Sequence, residues 1–560
     1  MKILFDNLRR REFLTSSAAT IALSGLGLNL AKPNSAKAGV REFNLTIARK
    51  NVRIIGGEAP KITINGTIPG PILRFTEGDD AVINVTNNMN EDTSVHWHGL
   101  IVPGPLDGAP GFNGAVPIKP GETFTYKFPL VQSGTYWYHS HSGGQEQDGH
   151  YGAIVIAPKA PEPQPADRDY VVMLSDYSRE TWAQILSHLK MDSDYYQLHR
   201  RTLGDLADDI KEQGLTPALR NARQWGQMRM LETDLSDVSG YTFLTNGKSP
   251  AQNWTGLFKV GERVKLRIIN AGTMTMFDVR IPGLKMLVVA ADGQDIVPLE
   301  VDEFRMGTAE TYDVIVTPTE NKAYTFVAES LDREGFALGT LAPREGMKGE
   351  IPTHRPRARL TMADMNMEEM MKDDPNMDMS NMDMNSGWSV MNAPEGTKVL
   401  SYDELISLRP QTDLREPSRE ITVRLGGNMQ RYIWTMNGRT FNPMHGIDVG
   451  FNERVRIIYV NETMMAHPIH LHGMFVQLDN GQDVARMPNK HTVIVPPGQT
   501  TSVILTADNP GAWPFHCHLL YHMAVGMMTT LNVPELHATP VSRPNTPPTT
   551  TNSEGHAHVN

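Results

Sequence analysis

Apolar and polar residues alternate along most of the chain, in short runs interrupted by glycine, proline and asparagine. Such alternation is typical of half-buried β-strands, because successive side chains of a strand point to opposite faces. Three of these runs are ten residues long, end in asparagine and follow an Asn-Gly turn signal, at residues 78–87, 261–270 and 452–461. The chain therefore repeats itself three times. Short strands at this density predict an all-β protein of three similar β-sandwiches.

The predicted domains follow the repeat, at residues 39–160, 165–345 and 401–536. Helix-like sequence at 179–235 predicts a helical insertion in the second domain. Residues 346–400 are predicted to be a methionine-rich linker. The segment 537–560 is rich in Pro, Thr and Ser and is predicted to be a disordered tail.

The first 38 residues resemble an export signal. Arg10 and Arg11 form a twin-arginine pattern, an apolar stretch follows, and Ala36-Lys37-Ala38 has the small-x-small form of a cleavage site. The alternative is a membrane anchor, but Ser, Gly and Asn interrupt the stretch, which is short for a span. We predict a twin-arginine signal peptide at 1–38, a periplasmic protein, and no stable membrane span.

The composition of the chain excludes several classes of protein. The chain has 560 residues, of which 40% are hydrophobic and 21% charged, which is ordinary for a globular protein. A net charge of −11 argues against a nucleic-acid partner, which would need a basic surface. The single cysteine, Cys517, excludes an intrachain disulfide and a zinc ribbon.

Eight histidines occupy matching offsets in the first and third repeats, as four His-x-His pairs: His96 and His98, His139 and His141, His470 and His472, His516 and His518. The second repeat carries other residues at these offsets: Val279, Ile281, Ala328 and Ser330. On a strand, His-x-His places both imidazoles on one face, about 6.6–6.8 Å apart. Neutral imidazole suits copper, zinc, iron or nickel. Histidines satisfied separately by hydrogen bonds are the alternative, but four matching pairs favour a metal site.

Cys517 stands among further metal-binding residues. His467 precedes the third His-x-His pair, His522 follows the cysteine by five residues, and Met527 follows by five more. Strand alternation turns Cys517 away from its two histidine neighbours, so it can face a different metal. Two histidines, a thiolate and a weak axial methionine describe a blue-copper site. The alternative for a lone cysteine is a buried inert thiol.

These motifs resemble those of the multicopper oxidases over nearly the whole chain after the signal. They are His96-Trp97-His98-Gly99, His139-Ser140-His141, His467-Pro468-Ile469-His470-Leu471-His472, and His516-Cys517-His518 continuing to His522 and Met527. The resemblance implies three cupredoxin-like Greek-key β-sandwiches and four coppers per chain. It implies a type 1 copper on His467, Cys517, His522 and Met527, and a type 2 copper on His96 and His470. It implies two type 3 coppers, on His98, His139 and His518 and on His141, His472 and His516.

The resemblance also implies the reaction. Single electrons from a reductant enter at the type 1 copper and pass through Cys517 to His516 and His518, and dioxygen becomes two waters. Asp107 matches the acid that the family places near the type 2 copper; the alternative is a turn-forming Asp before Gly. Where related copper-efflux oxidases carry a second acid, this chain has Met523, so Glu146 and Asp148 are candidates to supply protons there.

Other features resemble the CopA-type copper-resistance members of the family: the twin-arginine signal, the segment 195–230 and a methionine tract. The tract contains Met362, Met365, Met367, Met370, Met371, Met377, Met379, Met382 and Met384. Thioethers favour Cu(I), so the tract is predicted to bind extra Cu(I). The alternatives are a flexible acidic loop with incidental methionines and an amphipathic helix that packs them.

We therefore predict a monomeric periplasmic multicopper oxidase that couples Cu(I) oxidation to dioxygen reduction. The alternatives are a laccase-like enzyme that oxidises phenols and a copper-sequestering protein. Access to His467 or His522 separates the first two, because a short lid favours phenols and a methionine-lined cover favours Cu(I).

Overall fold

The computed structural model describes residues 39–198, 201–228, 232–233, 235–357, 359–361, 364, 388 and 392–535. The predicted signal peptide, the nine methionines of the tract and the predicted tail lie outside these residues. None of the described helices is long and apolar enough to cross a membrane.

The first domain is a sandwich of two four-stranded sheets, ordered β2-β1-β4-β6 and β3-β8-β7-β5. Its strands are β1 (Val40–Val52), β2 (Ala59–Ile64), β3 (Leu73–Thr76), β4 (Asp80–Asn87), β5 (His96–His98), β6 (Thr123–Pro129), β7 (Gly134–His139) and β8 (Tyr151–Ala157). Along β4 every second residue is buried, among them Ala81, Ile83 and Val85. This alternation is what the sequence pattern predicts for a strand with one face on a core.

The second domain has a six-stranded sheet, β10-β9-β12-β17-β14-β15, and a five-stranded sheet, β11-β19-β18-β13-β16. The strands are β9 (Arg168–Tyr177), β10 (Thr242–Thr245), β11 (Trp254–Leu257), β12 (Val264–Asn270), β13 (Phe277–Arg280), β14 (Met286–Ala291), β15 (Gln294–Val301), β16 (Glu303–Met306), β17 (Thr311–Val316), β18 (Tyr324–Ser330) and β19 (Phe336–Ala342). All residues of β12 and β18 are buried, so both faces of these strands are covered.

Three helices lie between β9 and β10, within the predicted insertion: α1 (Trp182–Met191), α2 (Leu203–Gln213) and α3 (Leu215–Met228). Thr181 and Thr202 begin α1 and α2 with capping boxes, in which the hydroxyl accepts from the third backbone N–H of the helix. The helical insertion is therefore present, and its first two helices begin at residues that the local sequence favours.

The third domain repeats the layout, with sheets β21-β20-β23-β28-β25-β26 and β22-β30-β29-β24-β27. The strands are β20 (Arg419–Asn428), β21 (Ile433–Met436), β22 (Ile447–Asp448), β23 (Arg454–Asn461), β24 (His467–Leu471), β25 (Val476–Leu478), β26 (Asn489–Lys490), β27 (Thr492–Val495), β28 (Thr500–Thr506), β29 (Gly511–Cys517) and β30 (Met528–Val533). A short helix, α4 (Leu520–Ala524), joins β29 to β30. The predicted all-β class is confirmed, whereas the domain limits stay predictions.

The terminal asparagine of each repeated strand holds the loop that follows. Asn87, Asn270 and Asn461 are buried, and their side-chain amides donate to loop carbonyls, for example from Asn87 to Glu91 O at 2.8 Å and from Asn461 to Met465 O at 2.7 Å. In the first and third domains this loop leads to the strand with the first His-x-His pair. The strands begin two or three residues later than predicted, because left-handed backbone at the start of each run belongs to the preceding turn.

Candidate metal centre

The histidine pairs of the first and third domains occupy equivalent places in their sheets. The cross-strand partners are His96 and His139 in the first domain, Val279 and Ala328 in the second, and His470 and His516 in the third. All three pairs are buried. The offsets read from the sequence therefore correspond to one ladder position, at which the second domain has an apolar pair.

Eight imidazoles from the first and third domains meet at one place. Two stacked pairs each join the two domains, His96 with His472 and His98 with His470, with ring centroids 3.8 Å apart in both. Within this cluster, three sets of ring nitrogens lie within 4.8 Å of one another: His96, His470 and His472; His98, His139 and His518; and His141, His472 and His516. A fourth set at this distance joins His98 and His470 to His491, which was not predicted. The structure thus brings all eight predicted histidines together. Their division among type 2 and type 3 coppers stays a prediction.

The inner nitrogens of this cluster fit a metal ion. Among the described residues, no hydrogen-bond partner reaches the buried Nε2 atoms of four of them: His96, His139, His141 and His470. The same holds for both ring nitrogens of His98 and His518. Because buried polar atoms are nearly always hydrogen-bonded, so many unpaired nitrogens in one cluster are the arrangement expected of metal ligands.

Backbone carbonyls fix the outer nitrogens. Nδ1 of His96 lies 2.8 Å from the carbonyl oxygen of Asp107, and Nδ1 of His470 lies 2.7 Å from that of His491. An Nδ1–H that donates to a carbonyl leaves the lone pair on Nε2, which is the tautomer that binds a metal through Nε2.

Burial within the cluster favours the neutral form of several of its imidazoles. Burial, and next the neighbouring imidazoles, holds the pKa of His98, His139, His470 and His472 well below 6.5. Burial lowers the pKa of His516 to about 4. Only a neutral imidazole has a lone pair for a metal, so at neutral pH these five imidazoles are in their metal-binding protonation state.

Asp107 lies between histidines of the two domains. Its Oδ2 accepts from Nδ1 of His472 at 2.8 Å, and its Oδ1 lies 3.4 Å from Nδ1 of His96. Gly108 follows with φ of +80°, and a Cβ there would lie 1.7 Å from the carbonyl oxygen of Val95. Asp107 therefore lies in a turn before a glycine, which was the alternative interpretation from the sequence. It also contacts the histidine cluster. Its catalytic role stays a prediction.

Of the two other candidate acids, Glu146 contacts the cluster. Its Oε2 lies 3.0 Å from Nδ1 of His139, and burial raises the pKa of Glu146 well above its usual value. Asp148 instead pairs with Arg49 at 3.0 Å and with Lys61 at 3.5 Å. Glu146 is thus the buried carboxyl on this side with an unpaired oxygen, Oε1, among the described residues.

A second group surrounds the cysteine. Sγ of Cys517 lies 3.6 Å from Nδ1 of His467 and 3.8 Å from Nδ1 of His522, and the two Nδ1 atoms are 3.2 Å apart. Cys517 is fully buried, and burial raises the pKa of its thiol. Met527 is also fully buried; its carbonyl accepts from the Cys517 N–H at 3.0 Å, and its own N–H donates to His522 O at 2.9 Å. The predicted type 1 residues are therefore neighbours.

Both histidines of this group are held by their outer nitrogens. Nε2 of His467 lies 2.7 Å from Oγ1 of Thr463, and Nε2 of His522 lies 2.7 Å from Oδ2 of Asp237. A proton on Nε2 of His522 donates to the carboxylate and leaves the Nδ1 lone pair facing the cysteine sulfur.

Two aromatic residues cover the cysteine group on the side where His522 lies. Trp434 stacks on the His522 imidazole with centroids 3.9 Å apart, and the Tyr432 hydroxyl donates to Oδ2 of Asp237 at 2.7 Å. Tyr432 has a left-handed backbone, with φ of 47°, which is uncommon for a large side chain. His522 and Asp237 are 0% and 1% exposed. The cover therefore consists of an acid and two aromatic rings.

Four residues of the two groups were not predicted from the sequence: Asp237, Tyr432, Trp434 and His491. The His491 carbonyl holds His470, and its ring contacts His98 with centroids 4.7 Å apart. Asp237 lies between α3 and β10 of the second domain, far along the chain from the cysteine. None of these residues lies at a repeated offset, so spacing gave no signal for them.

Comparison with known proteins matches three regions of the chain to the multicopper oxidase family, residues 46–161, 202–343 and 415–537. A copper resistance protein A homolog of Pseudomonas syringae pv. tomato is 44% identical over 94% of this chain and 99% of that protein. Copper resistance protein A of Escherichia coli is 42% identical over the same shares.

Solved structures show the same fold. Fet3p, a multicopper oxidase that functions in iron import, matches 88% of this chain and 90% of that chain with a TM-score of 0.66 at 21% identity. The laccase of Botrytis aclada matches 89% and 88% with a TM-score of 0.65 at 22% identity. These neighbours confirm the predicted three-domain cupredoxin-like fold. Taken with the full-length relatives, they lead to the conclusion that this chain belongs to the multicopper oxidase family of copper-dependent oxidoreductases.

Proposed function

We propose that the protein is an exported multicopper oxidase that oxidises Cu(I) to Cu(II), reduces dioxygen to water and so protects the cell from copper. Two relatives above 40% identity over nearly their full length are named for copper resistance. The twin-arginine pattern at 1–38 supports export to the periplasm.

The burial of His522 is the observation that favours Cu(I) over phenols as the substrate. Its imidazole is fully buried, and its outer nitrogen is engaged by Asp237 rather than open to a substrate ring. A phenol that must touch this imidazole edge would have to displace Trp434 and Asp237. A small cation needs no such opening, and the carboxylate of Asp237 attracts it.

The ligand sets implied by the family fit the two groups of side chains, so we propose four coppers per chain on those residues. Bound copper would supply one-electron acceptors and the site at which dioxygen is reduced. The chain itself supplies the connection between them, because Cys517 belongs to one group and its covalent neighbours His516 and His518 belong to the other. Electrons therefore need to cross only adjacent residues of one strand and its end.

Two buried carboxyl groups serve the histidine cluster from different sides. Asp107 holds Nδ1 of His472 and positions that ring, and Glu146 lies beside Nδ1 of His139. We propose that both supply protons where dioxygen is reduced, since each water formed requires two.

The methionine tract is proposed to collect Cu(I). Its nine methionines are outside the described part of the chain, but Asp364 within it and Trp388 after it are described. Trp388 N–H donates to Oδ1 of Asp364 at 3.1 Å, and the indole of Trp388 lies under the Arg305 guanidinium at 4.5 Å. Trp388, which follows the tract, is therefore held both by Asp364 and by the second domain.

The test is oxygen uptake by copper-loaded protein offered Cu(I) or a simple phenol. We expect Cu(I) to be preferred by at least about tenfold in kcat/KM, and the preference to fall when residues 362–384 are deleted. Cys517→Ser is the control that should abolish the blue colour and turnover of both substrates. A preference for phenols would instead indicate a laccase-like enzyme. Copper bound well beyond four per chain, with copper tolerance retained in Cys517→Ser, would indicate a sequestering protein.

A further inference from the structure

A cavity of about 490 Å³ opens on the third domain, and none of the predicted copper ligands lines it. It lies between the loop that joins β21 to β22 and the start of β30. Four of its lining residues carry soft metal donors, namely Met436, Met444, His445 and Met528. Three thioethers and an imidazole therefore line one cavity, and they are the soft donors that Cu(I) prefers.

The four residues divide into a floor and a rim. Met436 ends β21 and Met528 begins β30, and both are buried, as core methionines usually are. Met444 and His445 lie on the loop, where Met444 is 80% exposed. Packing in the core explains the two buried methionines of the floor, but it does not explain the two rim residues on the loop. Among the described residues, no hydrogen-bond or ion-pair partner contacts the His445 ring.

The loop is fixed against the cysteine group. The Phe441 N–H donates to Gly526 O at 3.1 Å, and Thr529 Oγ1 donates to His445 O at 3.3 Å. Gly526 has φ of +128°, and a Cβ there would lie 2.7 Å from the Thr440 side chain. Only glycine lets the loop approach this closely, so the rim donors are held above the floor.

The charges around the cavity also suit a monovalent ion. Arg439 and Asp448 line it with opposite charges, and the three thioethers carry no charge. A divalent cation such as Ca²⁺ or Mg²⁺ prefers oxygen ligands and compensating carboxylates. Neutral sulfur and nitrogen donors favour Cu(I) and bind Cu(II) less well.

We propose that Met436, Met444, His445 and Met528 bind one Cu(I) ion as a substrate site, an inference that rests on the proposed cuprous oxidase function. The site lies close to the cysteine group. Met528 directly follows Met527, and Met436 shares a face of β21 with Trp434, which stacks on His522. Each Cu(I) gives up one electron and leaves as Cu(II). Four such ions, four protons and one dioxygen give two waters.

Binding is tested separately from turnover, with Ag(I) as the probe because it shares the charge and softness of Cu(I) without being oxidised. Calorimetric titration of the copper-loaded full chain counts the Ag(I) ions bound. The test variant is Met444→Leu with His445→Gln, which changes only the exposed rim. The matched control is Met191→Leu at the end of α1, a methionine that is 72% exposed and lies outside the cavity.

We expect the rim variant to bind one Ag(I) fewer than wild type, and the control to bind the same number. Its kcat/KM for Cu(I) should fall about tenfold, the effect of losing about 1.4 kcal/mol of ion binding, while phenol oxidation and the blue colour are retained. An unchanged Ag(I) count would overturn the site. A lost Ag(I) with unchanged Cu(I) kinetics would overturn its role in substrate binding. Loss of one Ag(I) in a protein whose wild type oxidises no Cu(I) would support the site and refute the proposed function.

Discussion

Several imidazoles in both groups offer one ring nitrogen to the predicted metal, while a fixed protein partner holds the other ring nitrogen. In the cysteine group the partners are Thr463 and Asp237, and in the cluster they include the carbonyls of Asp107 and His491. Such partners orient a ligand and set its tautomer, and a charged one also changes the electron density at the metal. Asp237 is the charged partner in the cysteine group, so it should tune the redox potential there.

Asp237→Asn is expected to raise the potential of the type 1 copper. The amide oxygen can still accept from Nε2 of His522, but the negative charge that favours the oxidised metal is lost. An increase on the order of 50–100 mV is expected for one partly screened charge at this distance. Redox titration of the blue absorption measures it, with Tyr432→Phe as the control that keeps the charge. A potential that falls or stays constant in Asp237→Asn would contradict this role.

The eight histidines of the cluster could be found from sequence because their positions are repeated. His96 and His470 stand at one offset from a buried strand-ending asparagine, and the ladder pairs them with His139 and His516 as that offset implies. Asp237 and Trp434 could not be found this way. They reach His522 only because separate segments of the fold converge, and a single sequence contains no spacing that reports such a contact.

At the scale of single elements, a buried ionic contact connects a strand of the third domain to the second domain. Lys490, at the end of β26, is fully buried between two carboxylates of the second domain, Asp292 at 3.0 Å and Glu310 at 2.9 Å. Burial alone would lower the pKa of Lys490, but Asp292 and Glu310 raise it. The next residue is His491, whose carbonyl holds His470. This ion triad therefore connects the second domain to the ligand-bearing part of the third.

Lys490→Ala is expected to destabilise the protein by about 3–5 kcal/mol, because it leaves two buried carboxylates without their cation. Chemical denaturation followed by tryptophan fluorescence measures the change. The matched control is Lys119→Ala, which breaks an exposed pair with Asp92 and should cost less than about 1 kcal/mol. If the two substitutions lower the free energy of unfolding equally, the triad stabilises the protein no more than an exposed ion pair does.

Strands and helices were predicted with different success for physical reasons. The repeated strands end at the predicted asparagines because these side chains cap the following loop, whereas their starts depend on turns whose left-handed residues look like part of the alternating run. The helical insertion was recognised by its polar, helix-favouring sequence, but its division into α1, α2 and α3 was not predicted. That division follows local caps, such as Thr202 before α2 and Gly214 after it.

At the scale of the whole molecule, the histidine cluster exists only when the two ends of the described chain meet. Four of its imidazoles come from residues before 142 and four from residues after 469. The second domain contributes no ligand to this cluster among the described residues, but through Asp237 it holds His522. Copper bound to the cluster would therefore link folding of the first domain to that of the third.

Removing copper from the loaded protein is expected to lower Tm by at least about 5 °C, since ligands that bind only the folded state stabilise it by mass action. Differential scanning calorimetry before and after chelation measures the shift. His472→Ala, which removes a shared ligand, should show a smaller shift on chelation than wild type. If chelation leaves Tm unchanged, the cluster does not bind metal across the two domains.

The hydrogen bond between Asp364 and Trp388 has a consequence for protein engineering. Because the two residues contact each other, a replacement sequence placed between them needs to span only the distance between two neighbouring residues. For a flexible insert, the free energy of closing the loop grows with the logarithm of its length, by about 0.6 kcal/mol for each doubling. Inserts of different length and metal preference are therefore expected to be accepted at this point.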